Sequence, residues 1–126
     1  MSERNVSVCT CPRSNFFLKV GKAPVRKFLD HGINVCMGTD SMASNRDLNI
    51  LNELKFAREF YENVSDEELL KIATLNGAKA LGFDNICGSI ERGKDSDLIY
   101  FIIPSDLKKS EIYKFIFRSN MCSRLR

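Results

Sequence analysis

Two short apolar segments separated by an amphipathic one give the first indication of the fold. Residues 6–10 alternate apolar and small polar side chains, and residues 33–37 are almost wholly apolar, so both segments predict strands. Between them, the apolar residues of segment 23–31 recur at the i, i+3, i+4 spacing of a helix. A strand, a short helix and a second strand form a βαβ unit, whose two strands are parallel.

The carboxyl ends of these two strands bring polar residues to one edge of the predicted sheet. Residues 11–15 follow the first strand and predict a loop, because Pro12 cannot donate a hydrogen bond to a sheet. Asp40 follows the second strand within the small and polar segment 38–45. Ligands of α/β folds lie beyond the carboxyl ends of the strands. Asp40 is therefore a candidate for chemistry, although an aspartate here can equally cap the next turn.

The segments up to residue 82 predict further helices. A long helix is expected over residues 47–63, and its best apolar face consists of Ile50, Leu54, Ala57 and Tyr61. Ser65 and Glu68 have the spacing of a capping box, which begins the next helix. A short helix over residues 76–81 should end at the glycine that follows it.

Beyond residue 82 the pattern changes to turns and one strongly apolar strand, over residues 97–103. Residues 107–117 predict either a helix or a strand. We favour a helix, whose inward residues would be Ile112, Phe115 and Ile116. Residues 119–126 predict only a basic tail.

The composition of the chain argues against membrane and nucleic-acid partners. The chain has 126 residues, 44% of them apolar and 28% charged, as in a soluble globular domain. It has no apolar run of the ~20 residues that a membrane span requires, and its first residues lack the apolar core of a signal peptide. We therefore expect a cytoplasmic protein with no membrane partner. The net charge of +3 is too small to indicate a nucleic-acid partner.

The five cysteines are an odd number and are spread through predicted core segments. This distribution favours reduced thiols over a disulfide framework. Cys9 and Cys11 share one face of the first strand, where packing is favoured over a metal or redox role.

Three motifs in this order resemble the carboxyl-terminal third of amidohydrolase-superfamily enzymes. They are Cys-Pro-Arg-Ser-Asn at 11–15, Gly-Thr-Asp-Ser at 38–41 followed by Ala-Ser-Asn at 43–45, and Ala-Thr-Leu-Asn-Gly-Ala-Lys-Ala-Leu-Gly at 73–82 leading into Gly-Ser-Ile-Glu-Arg-Gly-Lys-Asp-Ser-Asp-Leu-Ile at 88–99. The resemblance is strongest to the methylthioadenosine/S-adenosylhomocysteine deaminases and the aminodeoxyfutalosine deaminases. The motif Thr-Cys-Pro-Arg-Ser-Asn at 10–15 favours the aminodeoxyfutalosine deaminases.

The resemblance implies an α/β fold that is part of a (β/α)₈ barrel. Residues 1–82 would form its carboxyl-terminal portion, with strand seven at 6–10, strand eight at 33–39 and the helices that follow. Residues 83–126 would contribute strands of a small composite β domain and the tail. A complete barrel needs about 250 residues. We therefore expect a fragment, inactive alone, that associates with a missing amino-terminal barrel portion or with copies of itself.

The same resemblance implies hydrolytic deamination of a purine nucleoside-like small molecule. Asp40 would be the catalytic residue that binds a divalent metal, zinc or iron, and helps to activate its water. Four further residues would face the substrate, namely Arg13, Ser14, Asn15 and Ser44. The family supplies most other metal ligands as histidines from earlier strands.

This chain has one histidine, and its position does not suit a metal site. His31 is predicted at the carboxyl end of a helix, where a cation compensates the helix dipole, and on the side of the βαβ unit away from Asp40. One carboxylate cannot hold zinc firmly, so we do not expect this chain to bind the metal alone.

Two alternatives stay open at this stage. Arg13 can hold a substrate carboxylate with its planar fork or be an ordinary surface arginine. The whole chain can also be a non-catalytic α/β interaction or structural module. An upstream reading frame that encodes a His-x-His pair after a strand would favour the enzyme fragment.

Overall fold

The computed structural model describes residues 6–119 and 123–125, which form a parallel strand pair covered by helices and a separate antiparallel strand pair. In chain order the elements are β1 (Val8–Thr10), α1 (Pro12–Phe17), α2 (Val25–Asp30), β2 (Val35–Met37), α3 (Ile50–Phe60), α4 (Asp66–Ala73), α5 (Leu75–Leu81), β3 (Leu98–Tyr100), a 3₁₀ helix (Lys109–Glu111), α6 (Ile112–Arg118) and β4 (Ser123–Leu125). Within these residues, no helix combines the length and hydropathy that crossing a bilayer requires.

The predicted βαβ unit is present, and its strands are parallel. Val8 pairs with Val35 and Thr10 with Met37, and both α1 and α2 lie between the strands in sequence. Thr10, Val35 and Met37 are buried. Side chains alternate across a strand, so these residues share one face of the sheet.

Helices α3 and α4 pack into the same hydrophobic core as β2. Leu54, Ala57 and Tyr61 are buried, as the apolar pattern of α3 predicts, whereas Ile50 at its first residue is exposed. Leu69 and Ile72 of α4 have 0% and 1% of their surface exposed. Burial of this kind supplies the main driving force for folding.

The capping box before α4 is also confirmed. The Ser65 side chain accepts from the Glu68 N–H, and the Glu68 carboxylate accepts from the Ser65 N–H at 2.9 Å. Glu68 further accepts from Arg26 of α2 at 2.8 Å. This carboxylate therefore joins the beginning of α4 to α2.

The Glu68 contacts predict a pH dependence of stability. The Arg26 guanidinium first, and then Ser65, lower the pKa of Glu68 from its ordinary value of about 4.5 to about 2. A lowered pKa stabilises the fold above the unfolded-state pKa, and this stability is lost as the pH falls towards the folded-state value. We expect the urea midpoint of the wild type to fall more steeply between pH 4.5 and pH 2 than that of Glu68→Gln. Glu62→Gln, whose side chain is 82% exposed, should keep the wild-type slope, and equal slopes for all three proteins would contradict the assignment.

The predicted loop over residues 11–15 is wrong, because residues 12–17 form helix α1. Pro12 occupies its first turn, where the missing N–H costs no hydrogen bond and the fixed φ angle suits a helix. Helix α1 therefore begins two residues after the end of β1, and it carries Arg13, Ser14 and Asn15.

The carboxyl-terminal predictions need three corrections. The strand predicted over 97–103 is limited to Leu98–Tyr100, which pairs antiparallel with β4, so part of the predicted tail is a strand. The favoured helix over 107–117 begins with a 3₁₀ turn and becomes α-helical only at Ile112. Phe117 is its buried residue, with 4% of its surface exposed, because it packs into the main hydrophobic core. The Arg58 guanidinium carbon lies 5.2 Å from the centre of its ring. Residues 112, 115 and 116, predicted to point inward, are only half-buried.

Candidate functional site

Asp40 lies just beyond β2 and has a left-handed backbone conformation, with φ of +59°. Such a conformation is uncommon for a residue with a side chain, and aspartate and asparagine tolerate it best. Its side chain is exposed at the carboxyl end of the sheet. Non-glycine residues with this conformation are often found at functional sites.

Two serine hydroxyls converge on one oxygen of Asp40. Ser14 Oγ of α1 donates to Asp40 Oδ2 at 2.7 Å, and Ser44 Oγ donates to the same oxygen at 2.8 Å. Both serines are buried, with 1% and 6% of their surface exposed. Hydrogen bonds from Ser14, then Ser44, then the Ser41 backbone lower the pKa of Asp40, so this carboxyl group is ionised at neutral pH. The edge predicted from the sequence thus brings three of the five candidate residues together.

The contacts of Asp40 also test the alternative that this residue only caps the turn after β2. Its contacts with Ser41 and Ser44 are local, and they stabilise the turn that follows β2. The contact with Ser14 spans 26 residues and belongs to a different element. A turn cap does not require that second contact, so capping alone does not account for the arrangement.

Arg13 is held within the protein by an ion pair. Its two terminal nitrogens contact the two carboxylate oxygens of Asp47 at 2.9 and 3.0 Å. The Asp47 hydrogen bond is the main cause that raises the pKa of Arg13, and the guanidinium lowers the pKa of Asp47. The Arg13 side chain is 15% exposed, so a substrate would meet a guanidinium already paired with a carboxylate. Its substrate-binding role stays a prediction, as does that of half-buried Asn15, the residue after Ser14 on α1.

A cavity of about 800 Å³ lies beside Arg13 and Ser44. Ser44, Asn45 and Arg13 form its polar part. Its apolar part is lined by Phe16, Phe17, Met42, Ala43 and Phe56, and Lys19 and Arg46 add positive charge. A recess of this size can hold a ligand of drug-like dimensions.

The described residues do not by themselves fit a zinc site. Within the described part of the chain, no group of three or more histidine, cysteine, aspartate or glutamate side chains is placed to hold a metal ion. His31 follows α2, and its Nδ1 donates to the Lys27 carbonyl oxygen at 2.7 Å, as the helix-end interpretation predicts. Asp40 can therefore supply one ligand at most.

The Cys11 thiol precedes α1 and is held in its protonated form at neutral pH. Burial, and then the neighbouring Cys9, raises the pKa of Cys11 to about 11. Cys9, Cys11, Cys36 and Cys87 are free of disulfides. A β-carbon added to Gly38 would lie 3.0 Å from the Cys9 sulfur, so glycine leaves room for these sulfurs at the end of β2.

Sequence reasoning missed two residues that organise the site. Glu53 of α3 is completely buried, and it accepts from the Arg13 N–H at 3.1 Å and from Asn45 Nδ2. Tyr61 places its hydroxyl 2.7 Å from Thr10 Oγ1 at the end of β1. Tyr61 was predicted only as core, and the helical pattern gives no signal for a buried glutamate.

Comparison with known proteins decides the family. Residues 1–122 match the amidohydrolase family. The chain belongs to the amidohydrolase family. The resemblance predicted from its three motifs is thereby confirmed.

Relatives of this amidohydrolase include 5-methylthioadenosine/S-adenosylhomocysteine deaminases. That of Moorella thermoacetica is 35% identical over 127 residues, which cover 90% of this chain and 30% of the relative. That of Thermoanaerobacter pseudethanolicus is 41% identical over 120 residues, covering 90% and 27%. The chain thus spans less than a third of the length of these curated relatives.

Solved structures agree with the family and the α/β fold. An adenosine deaminase from Xanthomonas campestris with bound zinc is 39% identical, with a TM-score of 0.73 over 77% of this chain and 24% of that one. The atrazine chlorohydrolase TrzN from Arthrobacter aurescens, complexed with zinc, is 25% identical, with a TM-score of 0.82 over 97% and 30%. Bound zinc in both supports a divalent metal in the family.

Proposed function

We propose that this chain supplies one side of the active site of a hydrolytic deaminase, and that β1 and β2 are strands seven and eight of its (β/α)₈ barrel. The observation that carries the proposal is the convergence of Ser14 and Ser44 on Asp40 beyond the carboxyl ends of two paired parallel strands. Sites of (β/α)₈ enzymes are built from the loops at this end of the strands. The deaminase relatives support the choice of reaction.

The reaction is the addition of water to a ring carbon that carries an amino group. The carbon–nitrogen bond then breaks, ammonia leaves, and a carbonyl group replaces the amine. An ionised Asp40 can accept a hydrogen bond from the attacking water and can receive its proton. Ser14 and Ser44 orient this carboxylate by binding its Oδ2, so the water or a cation would be met by Oδ1, which neither serine hydroxyl occupies.

The substrate we propose is an adenine-type nucleoside, related to aminodeoxyfutalosine or to methylthioadenosine and S-adenosylhomocysteine. The cavity beside Ser44 is large enough for part of such a molecule, and its phenylalanine rings suit a flat base. The complete enzyme would hold zinc or iron, with Asp40 as one ligand and the others from the amino-terminal barrel portion. That portion is the partner we propose, with association of copies of this chain as the alternative.

This proposal predicts that the 126-residue chain alone is inactive. A single carboxylate without further ligands cannot retain zinc in the arrangement that hydrolysis needs. Purified chain, supplied with zinc and amino-purine nucleosides, should release no ammonia above the background of a protein-free control. Clear turnover, proportional to the chain concentration, would contradict the proposal.

A fusion provides the complementary test of function. In it, this chain replaces the matching carboxyl-terminal segment of the Moorella thermoacetica relative, which keeps its own amino-terminal part. We expect the fusion to bind a divalent metal and to release ammonia from an adenine nucleoside. A folded, metal-loaded fusion with no turnover would favour the alternative, a non-catalytic module.

A further inference from the structure

Glu53 is a carboxylate without solvent contact, and its partners come from two different segments. The Arg13 N–H donates to Oε2 at 3.1 Å, and Asn45 Nδ2 donates to Oε1 at 2.5 Å. The Arg13 guanidinium also lies 3.7 Å from Oε1. Burial of a charge is costly unless hydrogen bonds and opposite charge compensate it. These contacts therefore fix Glu53 and, in turn, both of its partners.

The Arg13 contact fixes the helix that carries Ser14. Arg13 lies in the first turn of α1, where backbone N–H groups have no acceptor within the helix. The residue before α1, Cys11, provides no side-chain hydrogen bond there. Glu53 supplies the missing acceptor from α3, and a carboxylate at this end also suits the helix dipole. Ser14, the next residue, is thereby held 2.7 Å from Asp40.

The Asn45 contact fixes the loop that carries Asp40 and Ser44. Asn45 Nδ2 donates to Glu53 and also to the Thr39 carbonyl oxygen, the latter at 2.6 Å. Thr39 and Asn45 flank the segment that contains Asp40, with its left-handed backbone, and Ser44. Their contact therefore closes this segment into a compact loop anchored on α3.

We infer that Glu53 is a positioning residue for the deaminase site, an inference that rests on the proposed function. It holds α1 and the loop after β2 together, so that the hydroxyls of Ser14 and Ser44 reach the same oxygen of Asp40. A carboxylate is needed because both hydrogen-bond partners are donors. Glutamine has the same shape but only one oxygen, so one donor would face its amide nitrogen.

Hydrogen exchange of the 126-residue chain, read at single amides by mass spectrometry, tests this role. In Glu53→Gln at least one of the two amides of Arg13 and Ser44 should exchange about tenfold faster, relative to core amides such as Leu69, because one of the two donors then faces the glutamine nitrogen and loses its acceptor. Leu54→Ala is the matched control, since it removes the neighbouring buried side chain of α3. It should speed exchange throughout the core without a selective effect on those two amides.

Asn45→Ala separates the two contacts and removes no buried charge, so it also serves if Glu53→Gln does not fold. It should speed exchange at Ser44 selectively and leave the Arg13 amide protected. The inference would be overturned if Glu53→Gln left both amides at their wild-type rates relative to the core, or if Asn45→Ala exposed Arg13 as much as Ser44. Neither readout needs substrate. An inactive wild-type fusion would therefore count against the proposed function and not against the positioning role.

Discussion

Replacing Asp40 by asparagine should lower the deamination rate of the fusion by about 1,000-fold, the scale at which proton transfer and charge stabilisation act in enzymes. Asparagine has nearly the same size and tolerates the left-handed backbone of this position, where φ is +59°. Ser14 can still donate to the amide oxygen. The change therefore isolates the negative charge and the basic oxygen. Steady-state ammonia release, measured on folded protein, gives the loss directly.

Two comparisons make this result specific to the site. Asp84→Asn removes a carboxylate from an exposed turn and should leave the rate unchanged. Ser14→Ala removes one of the two hydroxyl donors and should cost about tenfold, the value of a single hydrogen bond to a charged group. An Asp40→Asn fusion that keeps the rate of an active wild-type fusion would exclude Asp40 from the chemistry.

Replacing Leu69 by alanine should lower the free energy of unfolding by about 2–5 kcal/mol, which is the cost of leaving a cavity in a packed core. Leu69 has 0% of its surface exposed and belongs to the core that α3, α4 and β2 share. A loss of this size is a large part of the ~5–15 kcal/mol that usually stabilises a domain. Urea denaturation of the chain, followed by circular dichroism, would measure it.

The matched control is Leu81→Ala. Leu81 ends α5 and is 71% exposed, so the same chemical change there should alter the free energy of unfolding by less than about 0.5 kcal/mol. Equal urea midpoints for the two variants would show that α4 does not pack as the structure describes.

The sequence predicted those parts of the fold whose patterns lie within a few consecutive residues. The alternation of β1, the apolar run of β2 and the capping box of Ser65 and Glu68 each lie within a few residues. Proline at position 12 is ambiguous, because its missing N–H suits both the end of a strand and the start of a helix. Strand β4 depends on pairing with β3, more than twenty residues earlier, and a three-residue segment has no periodicity of its own.

In the candidate site, too, some residues could be predicted from the sequence and others depend on contacts that form only in the folded chain. Motif order and the geometry of parallel strands brought Asp40, Ser14 and Ser44 to one edge, and the structure joins them by hydrogen bonds. Glu53 could not be found, because a glutamate within a helical pattern predicts a solvent-exposed position. Its burial depends on donors from residues 13 and 45, which only the folded chain brings to it.

We propose that Asp40 lies at the reacting atoms of a nucleoside deaminase. A crystal structure of the fusion, with a nucleoside inhibitor that mimics hydrated adenine, would show whether it does. We predict that an Asp40 carboxylate oxygen lies about 2.6–3.2 Å from the hydroxyl that represents the attacking water, while the other oxygen keeps its bonds to Ser14 and Ser44. An inhibitor bound with Asp40 out of contact, and with another residue beside that hydroxyl, would contradict the account.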